Sequence, residues 1–355
     1  MYLFSAMRYS EIVKPLYLRK CRLWIYLHWH CHSQLFIIAK IFNRLNWAMS
    51  QEYRMNFFYN CKNLTLPDGF FDEVLDVGRT ALQNCEKVTG DLILNNCETL
   101  GARAFMGTGI NSIELPICTS CDSYAFSSCP ALKSVNVPNI DTLSIQLFYN
   151  NSELETVTLN KEKITTIGEM ACRNCAKLKL EIDFPNVTTI KDDAFNGCSS
   201  LYGSVNLPKL ESIMTRAFAY SGIEAIMDLG NITTIDGWGA SFFECQNLTC
   251  AILSEKFNVT NEHLFTSCTA LKFVEFKCED EMTLNLGFLR RCTALETLVM
   301  HTSTATAVTE SYFLQNVPTT CNIYVPDDAV DQYKTALGWK WRADQIKPLS
   351  EYVPD

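Results

Sequence analysis

The chain of 355 residues is 48% hydrophobic and 19% charged, and its mean hydropathy of +0.01 argues against both a disordered chain and a multispanning membrane protein. The net charge of −9 is uneven: residues 1–50 carry seven Lys or Arg against one acidic residue, Glu11, which places −15 on residues 51–355. A body that acidic repels phosphate backbones, so nucleic acid is not expected as a partner.

Residues 1–49 form a basic leader that fits no repeat, with three of the six tryptophans and three of the five histidines. Three readings of it stand. The apolar patches from Leu23 to Phe42, flanked by Lys14, Arg19, Lys20 and Arg22, fit a weak membrane anchor, although His28, His30, His32, Ser33 and Gln34 interrupt them. The change of composition at Met49 fits translated upstream sequence. The third reading is an N-terminal cap. His28-Trp29-His30-Cys31-His32, with Cys21, is the densest set of metal-type ligands, but zinc sites draw on two short pairs and this is one run. No metal site is expected.

From residue 50 to 320 the chain repeats. Aligned anchor residues are Phe58, Leu82, Phe105, Phe126, Phe148, Cys172, Phe195, Phe218, Phe242, Phe265, Leu289 and Phe313, at steps of 24, 23, 21, 22, 24, 23, 23, 24, 23, 24 and 24. A period that steady implies a solenoid, within the roughly 20–29 residues of leucine-rich repeats. Each copy has one grammar. Segments such as Ser134-Val135-Asn136, Thr156-Val157-Thr158 and Ser204-Val205-Asn206 alternate with period two, predicting a short half-buried parallel strand that a following Pro often ends. An apolar pair at three-residue spacing follows, as in Val187 and Ile190. Ala-Phe-x-x-Cys then predicts one helical or 3₁₀ turn that drops the aromatic into the core. The expected fold is an α/β repeat solenoid, a curved coil with one strand and one short helical turn per repeat of 21–24 residues.

Of seventeen cysteines, Cys61, Cys85, Cys129, Cys175, Cys198, Cys245, Cys268 and Cys292 stand three residues after an anchor, and Cys97, Cys118, Cys121 and Cys172 replace apolar residues elsewhere. They are expected as free, buried, small hydrophobes. Residues 321–355 make a last strand and a cap: Ile323-Tyr324-Val325-Pro326 is the strand, Asp327 to Gly338 reads as a helix with an acidic start and a Gly stop, and Trp339 and Trp341 are expected to cover the open end of the core.

The pattern Ala-Phe-x-x-Cys-x-x-Leu-x-x-Val-x-Leu-Pro, with the Ile323 to Trp339 tail, resembles the BspA-like leucine-rich repeat family over about residues 56–345. That resemblance implies a surface-exposed or secreted adhesion or recognition protein of microbes, without chemistry. The sequence departs from the family in lacking a clear signal peptide and a recognisable C-terminal sorting module.

Little else in the sequence points to chemistry. His263 and His301 are each read as solitary exposed polar residues, no phosphate-binding glycine loop is present, and no off-register insertion builds a pocket. No catalytic residue, cofactor or metal is expected. Six Asn-x-Ser/Thr sequons, at Asn63, Asn150, Asn186, Asn231, Asn247 and Asn258, are read as products of a repeat rich in those residues. The candidate binding site is a polar stripe on the solvent side of the strands: Glu114, Asn136, Thr158, Asp183, Asn206, Asp228 and Glu275, with Ile93, Ile252 and Val299 at equivalent places as apolar seeds. A protein partner is expected. A glycan partner or enzyme-associated role, and a phage tail or virion structural role, are the alternatives.

Overall fold

The computed structural model describes residues 58–354 apart from 231, 233, 236–238, 258–261, 285 and 309–311. The leader, its His28–His32 cluster and two of the sequons, Asn231 and Asn258, lie outside the described residues. The period-two segments form the first side of each coil. Strands Thr89–Ile93, Gly109–Glu114, Ser134–Asn136 and Thr156–Thr158 make a four-stranded parallel sheet, and strands from Glu181–Asp183 to Asn322–Val325, closed by Ile346–Pro348, make an eight-stranded one. Alternation sets the faces: Ile113, Val135 and Val157 align in register and are buried, while Glu114, Asn136 and Thr158 align on the other face.

The expectation of one strand per coil is incomplete. The apolar pair builds a second side, because its last residue ends a two-residue strand that pairs with its equivalents; five such strands, Thr142–Leu143 to Thr234–Ile235, form another parallel sheet. The anchor stretch is the third side, and there the predicted helical turn is replaced by linked tight turns. Residues two before and two after the anchor take left-handed backbone, as Tyr124 (φ 64°) and Ser128 (φ 56°) do around Phe126, or Asp193 (φ 54°) and Gly197 (φ 77°) around Phe195. Each reversal turns the anchor amide out of its own coil. Phe126 N–H donates to Leu147 O (3.0 Å), Phe195 to Ala217 O (2.7 Å) and Phe218 to Ser241 O (2.7 Å), so this side also bonds coil to coil.

That ladder corrects the last repeat. Leu289 N–H donates to Phe313 O and Arg291 N–H to Gln315 O, a register one residue later than in the coils before. Leu314 is therefore the last anchor, and Phe313 fills the place of the residue before it.

The anchors lie in the core, all the aromatic ones within 7% exposure. Phe105, Phe126 and Phe148 stack at 5.9 and 5.8 Å, and Phe195, Phe218, Phe242 and Phe265 at 5.2, 5.5 and 5.6 Å. Cys172 divides the two stacks. Each buried Phe contributes about 1.5–3 kcal/mol from area alone, and parallel ring stacking adds about 0.5–1.5 kcal/mol per pair.

The described cysteines form no disulfide and are buried as expected, with Cys61 and Cys250 half-buried, but those of the ladder are more than small hydrophobes. From Cys85 onward each ladder thiol donates to the anchor carbonyl of the preceding coil, as Cys85 to Phe58 O (2.9 Å), Cys129 to Phe105 O (3.1 Å), Cys198 to Cys172 O (3.0 Å), Cys245 to Phe218 O (3.1 Å) and Cys292 to Phe265 O (3.1 Å). In the coils of Phe105, Phe148 and Phe218 a polar residue replaces the cysteine: Asn151 donates its amide to Phe126 O (2.8 Å), and Thr108 and Ser221 pair with the next cysteine in the row. Burial pushes the thiols of Cys85, Cys175 and Cys292 up to about 12.

The cap differs in detail from its sequence reading. A 3₁₀ turn at Asp327–Ala329 leads into helix Val330–Thr335, and the chain is already extended at Ala336, ahead of Gly338 at φ 88°. Tyr333 and Trp339 close the core: the Tyr333 hydroxyl bonds Thr302 and Thr306, and Trp339 Nε1 donates to Thr306 O (2.8 Å). Trp341 does not cover the core. It stands 73% exposed.

Candidate binding face

Six of the seven stripe residues come from successive strands of the first side, and register brings them into two groups. Ile93, Glu114, Asn136 and Thr158 are cross-strand neighbours in the four-stranded sheet, and Asp183, Asn206 and Asp228 in the eight-stranded one. Within the second group Asn206 Nδ2 donates to Asp183 Oδ1 (2.9 Å). Among the described residues, Asn136 Oδ1 is buried and has no hydrogen-bond partner, although its residue is half-exposed.

Glu275 stands apart. Its neighbours across the ladder are Ile252 and Val299, and its carboxylate pairs with His301 Nε2 at 2.9 Å, so His301 is half-buried and partnered rather than solitary. His263 is likewise half-buried, with Nδ1 3.1 Å from Thr266 Oγ1. Val299 is fully buried and seeds no exposed patch. The reason is the C-terminal segment: after Leu349–Glu351, the Tyr352 ring packs on Phe273 (6.3 Å) and Tyr324 (5.1 Å), two other residues of this outer face. The tail thus occupies the face near the C-terminal coils and leaves it open towards the N-terminus.

Between these parts the face is hollowed. The strand Ala225–Asp228 slips register after Ile226, which leaves Met227 49% exposed, and Asp228 Oδ1 accepts Gly230 N–H at 2.7 Å. Gly230 has φ 59°, and a Cβ there would meet Leu210 N at 2.6 Å, so only glycine lets the coil turn this tightly. The hollow holds about 340 Å³, with Pro208, Met227 and Ile252 as apolar lining and Asp228, Glu255, Lys256 and Lys277 as charged lining. Ser254 Oγ lines it too and is buried without a hydrogen-bond partner among the described residues. The sequence reading missed the hollow, yet Met227 and Gly230 around Asp228, where the preceding coil reads Val205-Asn206-Leu207-Pro208, are its visible sign.

The arrangement offers charge, hydrogen-bond groups and two apolar side chains along a rigid sheet. No group of three His, Cys, Asp or Glu side chains among the described residues is placed to hold a metal ion. Among the described residues, no helix is long and apolar enough to cross a membrane.

A family model described as BspA type leucine rich repeat region matches residues 75–202 and 202–319, with six copies. No curated protein matches. Among solved structures, a leucine-rich repeat protein from Bacteroides ovatus is similar at 18% identity, over 82% of this chain and 79% of its own, with a TM-score of 0.47. A leucine rich cell surface protein from Faecalibacterium prausnitzii is similar at 20% identity over 78% of this chain and 83% of its own, TM-score 0.35. The pneumococcal vaccine antigen PcpA is similar at 15% identity over 80% and 77%, TM-score 0.36.

Proposed function

Because this chain belongs to the BspA-type leucine-rich-repeat family, we propose that it is a non-enzymatic recognition scaffold that binds a protein partner along the outer strand face, at a microbial surface. One observation carries the reading. The outer row stands over a continuous row of buried apolar residues such as Val205, Ile226, Ala251 and Val274, yet its own residues change from coil to coil and open into a mixed polar and apolar hollow at Met227, Asp228 and Ile252. A rigid, pre-ordered surface of that kind loses little freedom on binding, which favours recognition of an extended protein face. The acid residues Glu114, Asp183 and Asp228 favour a partner with basic side chains opposite them. The surface location rests on the family resemblance.

The test is adhesion of the full chain to immobilised host epithelial cells and extracellular-matrix proteins. Reversing the face with Asp183→Lys, Met227→Asp and Asp228→Lys is expected to reduce binding at least about tenfold, while Lys87→Glu, away from the face, leaves it intact. Equal binding by both variants removes the strand face from the proposal.

A further inference from the structure

The cap carries an exposed aromatic pair that core packing does not explain. Trp341 is 73% and Tyr312 54% exposed, and both line one concavity of about 270 Å³. Two such rings left in water at one place mark a contact site rather than a fold requirement. They come from different elements, Tyr312 from the turn of the last coil and Trp341 from the 3₁₀ segment Lys340–Gln345. Arg342 locks those elements together: its guanidinium donates to Leu314 O (3.0 Å), Val317 O (3.0 Å), Pro318 O (3.2 Å) and Gln345 Oε1 (3.0 Å). The Lys340 ammonium lies 5.1 Å from the centre of the Trp341 ring and favours its present setting. The walls of the concavity are therefore fixed before any ligand arrives.

The remaining lining narrows the chemistry. Gln315 and Asn316 add side-chain amides, each offering two donors and one acceptor. Arg342 also lines the concavity, but its charge is already shared among four protein acceptors. Neutral amides beside exposed aromatic faces suit a neutral ligand with an apolar face and a rim of hydroxyls that both donate and accept hydrogen bonds. The volume lies just below the usual range of ligand pockets, about 300–1,000 Å³, and so admits one ring rather than a peptide segment.

We propose that this concavity at the C-terminal end is a carbohydrate site, in which Trp341 and Tyr312 stack against the C–H face of a pyranose and Gln315 and Asn316 bond its hydroxyls. The site is separate from the strand face, and a surface scaffold that holds a protein there has a second, sugar-directed contact at its end. Affinity for a single ring is about millimolar, as the small contact dictates.

The experiment is saturation-transfer NMR on the full chain with the methyl pyranosides of glucose, galactose, mannose and N-acetylglucosamine. At least one should bind, with transfer strongest on the protons of one ring face. Trp341→Ala and Tyr312→Ala should each weaken it roughly tenfold, and Trp341→Phe should retain part of it. The melting temperature of the Trp341→Ala protein should stay at the parent value, since the ring packs against little. If no pyranoside binds, or if Trp341→Ala binds as the parent does, the proposal falls. It also falls if the parent shows concentration-dependent mass that Trp341→Ala abolishes without any sugar binding, which would make this end a contact between two copies.

Discussion

The anchor side and the strand face of this solenoid are laddered by the same kind of backbone bond, yet they are built to opposite rules. Along the anchor side the same residue class returns in every coil, left-handed residues recur at fixed distances, and Phe rings stack at 5.2–5.9 Å. Along the strand face only the inward residues repeat, while the outward ones run Glu114, Asn136, Thr158, Asp183, Asn206 and change chemistry at each step. A chain with nearest-neighbour contacts can specify its fold from one side and leave another free. The contrast therefore separates residues that hold the coil from residues available to a partner.

The comparison is most directly broken by truncating the anchor side. Phe218→Ala should cost about 3–5 kcal/mol by the usual measure of a buried Phe, read by denaturant unfolding, since Phe218 is fully buried and stacks on both Phe195 and Phe242. A loss below about 1 kcal/mol would mean that the stack is not what supports the coil. Alkali is the next largest perturbation. Cys85, Cys175, Cys292 and Cys321 have thiols raised from 9.0 to about 12 by burial, so above pH 9 the unfolded chain loses protons that the folded chain keeps. Stability should then fall as pH rises from about 9 towards 12, by about 1.4 kcal/mol per pH unit for each such thiol, and replacing these cysteines with serine should flatten the slope. A pH-independent midpoint across that range would show that the thiols ionise in place.

A smaller effect tests the role of the ladder thiols. If Cys198 acts as a donor to Cys172 O, Cys198→Val should be less stable than Cys198→Ser by about 1 kcal/mol, the reverse of the order for a plain apolar site. On the strand face, Glu114→Ala or Asp183→Ala should change stability by no more than about 0.5 kcal/mol, although the proposed binding depends on that face. A large destabilisation from either would move those residues to the structural side of the comparison.

The period, the buried aromatic and the strand alternation were legible because each is a repeated local pattern. The turn geometry was legible too, but was read with the wrong element. Asn60, Asn84, Asn150 and Asn174, with Gly107 and Gly197, stand two residues after their anchors, the residue types that accept left-handed backbone at least cost, and they exclude a helical turn there. The donor role of the cysteines was visible in Thr108, Asn151 and Ser221 at the same position. The last anchor was misplaced by one residue because alignment on Phe313 outweighed the backbone register that Leu314 occupies. Other features depend on residues far apart in the chain. Nothing near Val299 signals that a tail some fifty residues later brings Tyr352 to its face, and the exposure of Trp341 beside the buried Trp339 follows from the 3₁₀ path of the cap.

The first side changes sheets between Thr156–Thr158 and Glu181–Asp183; the second does so between Ser120–Cys121 and Thr142–Leu143, and again between Thr234–Ile235 and Thr283–Leu284, where the first side runs on unbroken. These joints are staggered like courses of brick. At the first, the second side runs on through Thr142–Leu143, Thr166–Ile167 and Thr189–Ile190; at the next, the first side bridges Gly109–Glu114 to Ser134–Asn136; and the anchor amides of Phe126, Phe148 and Cys172 span these two. No transverse cut meets only joints. Tension applied along the axis is therefore carried past each weak course by its neighbours, and the rod is expected to peel from its ends before it snaps in the middle.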